Sequence, residues 1–578
     1  MTKKTYYFKL TIPLLLDTLF FFLISICWFF IIFDTFSYLD PGEISWFGID
    51  NTTAYIAQLF YLKSDWTFPL LRNIEYGGPL STSLTFTGPA PILGLVMKLF
   101  NINPEIQLFG LWILLNFFLQ LVFGSRLLRI LGIKANFARI FSVFFLSTFL
   151  ALKAQGHFWL ISHYLILWSL YILILYISKN TFRTVEVGLL LCLSYLTNIY
   201  ILAMVILVIL LVFILRLLSS LESIKSIFAD FSRLSSLLVV VFLTFDGLVL
   251  EESSYQTVKT YVSSTYGVHG FNLLTFFNPD TGYVVEGMSP SDPETLASFS
   301  VLPYSLGMIP GAYEGFMYLG LGVILGLIFL VFIQREKPFL SKVGLNVLQI
   351  KAIFIFSGLV TMFAVSYRIG IGSVEVVLPF PTTLDHVLGI FRASGRFMWP
   401  FAYFFIGLSI LTVYRWFSIQ KKYVLHFIVI AIIFALQVID TTLPLINQER
   451  RVSFTTNKNN FQVIELKEAS KLLQNYREIR AYPQGDFLEN HYAELNYLAW
   501  KLGMQTDLHF TSRVNMNDLF DREKETFLHL CQGTLNPSAI YAVTNTSLGK
   551  VLACNSTSKP ILVGQYHSYF VLTSLQAK

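Results

Sequence analysis

A single carboxylate, Asp50, stands just after the first very apolar segment, in the stretch "GIDNTTAYIAQLFY" (48–61) that opens an amphipathic helical pattern. Two chemistries fit an acid in that place. As an N-cap it accepts hydrogen bonds from the first free amides of a helix, and "DNTT" before helix formers has the pattern of a cap. As a general base at a membrane boundary it takes a proton from an attacking hydroxyl, with partial desolvation raising its proton affinity. Asp40 is the alternate acid, although in "LDPG" a turn accounts for it well.

The second constellation is cationic. In "FRASGRF" (391–397), Arg392 and Arg396 stand four residues apart at the end of an apolar segment. On one helix face, two guanidinium groups at that spacing grip a single phosphate. The competing reading is snorkelling at a membrane interface, but two arginines on the outer face run against the usual charge bias of membrane proteins. Gly395 between them allows a ligand or another helix to come close. Lys153, His157 and His163 form a third series in "LKAQGHFWLISHYL" (152–165). Lys153 joins the arginines as a candidate phosphate ligand. His163, about two turns into an apolar stretch, is either satisfied by a neighbouring helix or lines a cavity. Asp246 in "LTFDGLVLEESS" is a cavity acid or a loop junction. Tyr313 and Glu314 lie in "GAYEGFMYLGLG" (311–322), a glycine-punctuated helix start with one acid and belt aromatics.

The elements that must position these groups are membrane helices. The 578 residues are 55% hydrophobic and only 13% charged, about half the charged fraction of soluble domains, and mean hydropathy is +0.63. That excludes a soluble enzyme or nucleic-acid binder. About eleven spans are expected, at 16–34, 106–125, 137–153, 158–178, 184–198, 199–215, 234–250, 316–334, 351–366, 398–414 and 423–440. The stretch 184–215 reads either as two short helices hinged near Asn198 or as one long one. Lys and Arg concentrate on alternate connections, which places the N-terminus in the cytoplasm and Asp50 outside. The first span is expected to remain, since no small-residue cleavage site follows it.

Three outward segments, about 35–105, 251–313 and 367–397, are long enough to build a site at the outer surface. From about 441 the composition turns ordinary. Apolar runs at 539–543 and 560–564 alternate with helical patterns at 462–477, 490–503 and 516–531, the signature of a small α/β domain. The expected organisation is therefore an α-helical polytopic membrane domain over 1–440 and an extracytoplasmic α/β domain over 441–578. Cys531 and Cys554 both lie in that last region, where an oxidising compartment allows a disulfide. No Cys or His spacing indicates a metal site.

Several stretches together resemble the GT-C superfamily of membrane glycosyltransferases, and more closely a poorly characterised bacterial family of GT-C-like membrane proteins. The resemblance rests on "GID" with its following helix, "SLTFTGPAPIL", "GHFWLISHYLIL", "YEGFMYLGLG" and "RASGRFMWP", in order over about 48–400. It implies a polyprenyl-phosphate-linked sugar donor, a glycan or lipid-linked glycan acceptor, and a place in a bacterial inner membrane with the C-terminal domain periplasmic. It implies Asp50 as base, Arg392, Arg396 and Lys153 on the donor phosphate, and no cofactor. Asn51 stands where some members have a second acid, which speaks against a two-acid or metal-assisted mechanism here. A transporter or flippase of a lipid-linked saccharide is the alternative, but it predicts a midplane site and internal repeats, and neither is legible. An inert scaffold and a ligase for whole glycans are further readings.

Overall fold

The computed structural model describes residues 3–573 apart from 48, 78–81, 89, 220–222, 248–265, 281–297, 303, 335–345, 421–422, 448–472, 474, 486, 488–491, 509–515, 555–560 and 567–568. By contacts the chain divides into two units. One draws on Met1–Leu39, Phe109–Val239 and Val262–Arg451; the other on Asp40–Leu108, Val240–Tyr261 and Val452–Lys578.

The first unit is helical. Apolar helices overlap the expected spans other than 137–153. Among the described residues, 7 helices are long and apolar enough to cross a membrane, from Leu15–Phe33 to Ser394–Trp416. Ala135–Phe145, Thr184–Thr197, Leu321–Val331 and Ile428–Pro444 are shorter apolar helices. The sequence at 184–215 forms two helices, Thr184–Thr197 and Ile199–Leu217. Asn198 between them is extended (φ −167°, ψ 137°), and its side chain accepts the Tyr200 amide at 2.8 Å, so it starts the second helix as an N-cap.

The expected span at 137–153 is corrected. It is broken into a helix Ala135–Phe141, a 3-10 turn Ser142–Phe145 and a helix Leu150–Gly156. A break at that depth must satisfy its own freed backbone groups. Gln437 does part of this, donating Nε2 to the Ser147 carbonyl at 2.8 Å, and the Thr148 hydroxyl accepts the Leu150 amide. Gln437 and Asp440, both fully buried, also organise the start of the helix Leu321–Gln334. Asp440 accepts the Leu321 amide at 2.9 Å and the Tyr318 hydroxyl at 3.0 Å, and Gln437 Oε1 accepts the Val323 amide at 3.0 Å. Gly320, at φ +87°, has the Gln437 amide nitrogen 2.3 Å from where a Cβ would stand, so "YLGLG" is spelled by this junction.

The second unit is built on a five-stranded sheet. Its strands run in the order Gln505–Thr506, Glu478–Tyr482, Ala539–Thr544, Tyr569–Thr573, Ile561–Tyr566. The first three are parallel and the last two pair antiparallel. Helices Tyr492–Leu502, Met516–Gln532 and Asn545–Cys554 accompany the sheet, with Leu530, Val543, Val551 and Leu572 in its core. Cys531 and Cys554 form a disulfide between the last two helices (Cα–Cα 5.1 Å). The expected helix at 462–477 lies almost wholly outside the described residues. The first long loop belongs to this unit. Its helix Ile49–Lys63 receives the Trp500 indole N–H on the Leu59 carbonyl at 3.0 Å, and Gly77 donates to the Thr506 carbonyl at 3.0 Å.

One buried acid here carries a pH prediction. Asp507 is 6% exposed and accepts the Ala481 amide and the Gln484 amide group, each at 3.1 Å. Burial nevertheless pushes its carboxyl up to about 7. Its unfolded value is near 3.9, so the folded state binds the proton more tightly. The stability this supplies is fully present below the unfolded value and is lost as pH rises through about 7. Amide-exchange protection of the strand Glu478–Tyr482 in the full chain, corrected for intrinsic rates, is therefore expected to fall between pH 5 and 8. Asp507→Asn removes that slope, and a wild type without the slope refutes the reading.

Candidate functional site: an ion cluster around Glu314

Glu314 is 4% exposed and lies in the 3-10 turn Ala312–Gly315. Its Oε2 accepts Lys153 Nζ at 3.0 Å, Arg396 Nη2 at 2.6 Å and Arg396 Nε at 3.2 Å. His157 Nε2 is 3.7 Å from the other carboxylate oxygen. Burial alone pushes a carboxyl up, but Arg396, Lys153 and His157 outweigh it and hold Glu314 well below the usual carboxylate range. Two basic side chains, each less than a tenth exposed, thus share one carboxylate. The Lys153 ammonium also stands 5.8 Å from the Trp399 ring, and the Arg396 guanidinium 4.7 Å from the Tyr200 ring.

Glycines bring these turns together. A Cβ on Gly395 would meet the backbone of Gly270 and Gly315 at 2.9 Å, and one on Gly315 would meet Gly395 Cα at 3.2 Å. Three chain segments therefore cross at backbone distance. Gly395 also donates its amide to the His269 carbonyl at 3.0 Å. Gly311, at φ +85°, lets the chain turn into Ala312–Gly315 against the Val268 carbonyl. The close approach expected at Gly395 is thus made by the chain's own backbone.

The arginine pair departs from the helical spacing. Arg392 ends one 3-10 turn, Ala393 leaves the helical region (φ −91°, ψ 63°), and Arg396 lies in the next turn, Ser394–Met398. The break is held by the Tyr200 hydroxyl, which accepts the Ala393 amide at 3.2 Å, and by Ser394 Oγ donating to the Ala364 carbonyl at 3.1 Å. Arg396 is buried on Glu314, whereas Arg392 is exposed. The two do not stack on one helix face.

His163 is fully buried, with Nδ1 2.6 Å from the Tyr403 hydroxyl and its ring 4.4 Å from that of Trp399. Tyr313 precedes Glu314 in the same turn and packs its ring 5.4 Å from His269. A lone "VHGFN" carries no sequence signal for His269. Only its neighbours in space mark it.

Three candidates belong to the other unit. The Asp246 carboxylate accepts the Thr85 hydroxyl at 2.9 Å and also that of Ser83, joining a helix end to "SLTFTGPAP". Asp40 accepts the Gly42 amide at 2.9 Å in an exposed turn. Asp50 is the second residue of the helix Ile49–Lys63, within its first turn. Next to it Asn51 and Thr52 are buried, and Asn51 Oδ1 and Thr52 Oγ1 find no partner among the described residues. Among the described residues no group of three His, Cys, Asp or Glu is placed to hold a metal ion.

Fold and charge together define a polytopic helical membrane protein with a buried, cation-rich cluster. The chain belongs to the family described as "Domain of unknown function (DUF6311)", whose model matches residues 22–442. A search of curated proteins finds no match. Among solved structures it is similar to the crystal structure of ArnT from Cupriavidus metallidurans in the apo state. That similarity covers 96% of each chain at 10% identity, with a TM-score of 0.47.

Proposed function

We propose that this protein is a GT-C-type glycosyltransferase that moves a sugar from a polyprenyl-phosphate donor to an extracytoplasmic glycan or lipid-linked glycan. The observation that carries this reading is the excess of positive charge around Glu314. Lys153 and Arg396, with His157 close by, offer more cationic hydrogen-bond donors than one carboxylate uses. A phosphate monoester or diester is the anion that such forks and point charges hold best. The motifs "YEGFMYLGLG" and "RASGRFMWP" that carry the family resemblance supply Glu314 and Arg396 themselves.

The chemistry follows from the donor. An acceptor hydroxyl oxygen attacks the anomeric carbon while the bond from that carbon to the phosphate oxygen breaks. The electron pair leaves with the lipid phosphate, which gains charge and is neutralised by Arg396, Lys153 and Arg392. A base takes the hydroxyl proton, the role expected of Asp50. Direct displacement inverts the anomeric centre. In this reading the N-terminus is cytoplasmic, residues 1–440 form the membrane domain, and 441–578 stand outside it. The unmatched oxygens of Asn51 and Thr52 beside Asp50 support a polar ligand at that helix start.

The test is transfer by membranes containing the protein from a panel of radiolabelled polyprenyl-phosphate sugars. Label in an acceptor, with polyprenyl phosphate released and the anomeric centre inverted, is the expected result. A product of retained configuration refutes direct displacement, and no transfer from any donor refutes the enzyme.

A further inference from the structure

His269 stands in the first unit on the backbone crossing that joins Glu314 to Arg396. Its carbonyl accepts the Gly395 amide at 3.0 Å, and a Cβ on the following Gly270 would come within 2.9 Å of the Val365 carbonyl. The backbone here is held by close contacts. The ring is fixed as well: Nδ1 lies 2.7 Å from the Gly311 carbonyl, and the Tyr313 ring meets it edge-on at 5.4 Å. A carbonyl only accepts, so Nδ1 carries the proton and Nε2 of the neutral imidazole is an acceptor. Nε2 makes no hydrogen bond among the described residues.

The charged groups that act on this ring are Glu314, Arg392 and Arg396, and Arg368 packs near Gly267 in the same loop. Burial first, and then the two arginines, push the imidazole below its ordinary value, while the Gly311 carbonyl and Glu314 pull partly the other way. The ring is neutral at pH 7. A bare acceptor nitrogen repels a phosphate oxygen, so His269 is not a further phosphate ligand. It needs a donor, and the donor must sit beside an anion held on arginines. A sugar carried on a phosphate presents that pair: a phosphate on the anomeric carbon and hydroxyls one or two bonds further on.

We propose that His269 Nε2 accepts a hydrogen bond from a hydroxyl of the donor sugar whose phosphate rests on the arginines, making His269 a reader of the sugar. This rests on the glycosyltransferase reading above. The His269 side chain touches substrate without taking part in the proton transfer assigned to Asp50.

Two substitutions separate the nitrogens. His269→Asn keeps a donor in the place of Nδ1 and lacks the acceptor at Nε2; His269→Gln puts an amide oxygen near Nε2. The measurement is binding to the purified full chain of polyprenyl phosphate and of polyprenyl-phosphate glucose, galactose and mannose. Asn is expected to weaken the tightest sugar-bearing donor about tenfold, as loss of one hydrogen bond with an unmatched partner does. Binding of polyprenyl phosphate stays within about twofold, which also certifies the fold, and Gln recovers most of the loss. Equal weakening of both ligands, or of neither, overturns the inference. A wild type that binds polyprenyl phosphate and every sugar-bearing form alike overturns it while leaving the anion site standing. A wild type that binds none of them overturns the functional reading and this inference together.

Discussion

Asp50→Asn is expected to lower sugar transfer by about 100- to 10,000-fold, the usual cost of removing a positioned general base. Asparagine has nearly the shape of aspartate and fits the first turn of a helix, so the helix Ile49–Lys63 is expected to form unchanged. That helix is anchored at its other end. Trp500 donates to the Leu59 carbonyl and Lys63 to the Trp500 carbonyl, both far from Asp50. The substitution therefore removes a proton acceptor without loosening its support. Transfer assays at matched expression decide the matter, with donor binding measured in parallel. Retained donor binding with lost transfer identifies a base. Transfer that persists at the wild-type rate moves the proton to another group, and Asp246, held by Thr85 and Ser83, is already occupied as a junction. Asp40, the alternate acid, is tied into an exposed turn by its bond to Gly42.

The second large effect is on stability. Glu314→Gln leaves the Lys153 ammonium and the Arg396 guanidinium buried side by side with no counter-charge. Breaking a buried pair by removing one partner typically costs about 3–5 kcal/mol, against a total stability of about 5–15 kcal/mol. A clear fall in the thermal midpoint of the detergent-solubilised protein is expected. The ordinary wild-type cluster supplies no such sensitivity near neutrality. The folded Glu314 carboxyl titrates well below its unfolded value, so its contribution is fully present above that value and is lost only in acid. The variant also reports on the ligand. If the cluster holds a lipid phosphate, polyprenyl phosphate replaces the missing charge and raises the midpoint of Glu314→Gln by more than it raises that of the wild type. An equal rise in both means that the phosphate binds elsewhere.

The division of labour between sequence and tertiary structure can be followed residue by residue. Apolar runs mark where helices stand, because burying a helix in lipid needs only a local stretch of apolar side chains. Asn198 as a hinge, the α/β alternation after 441 and the pairing capacity of Cys531 and Cys554 are local too. The same holds for the acid in "YEGF" and the cation in "SGRF" as types of residue. What spacing misplaced was Arg392. A four-residue separation on an assumed helix puts it beside Arg396, but Tyr200 and the Ser394 hydroxyl hold a break at Ala393 that no pattern announces.

The cluster itself was decided only by the tertiary fold. Lys153 and Arg396 lie 161 and 82 residues from the carboxylate they share. Their meeting depends on Gly270, Gly315 and Gly395 crossing at backbone contact, which periodicity cannot express. The same crossing pins His269, a residue with no motif of its own. Asp246 found Ser83 and Thr85 in the same way, and the helix that carries Asp50 found Trp500, 441 residues beyond Leu59. Sequence alone determined a polytopic membrane chain with an α/β tail and named most of the chemically able side chains. Which of them share a charge was settled by glycine contacts between distant segments, because an ion pair is a property of a place in space and not of a position along the chain.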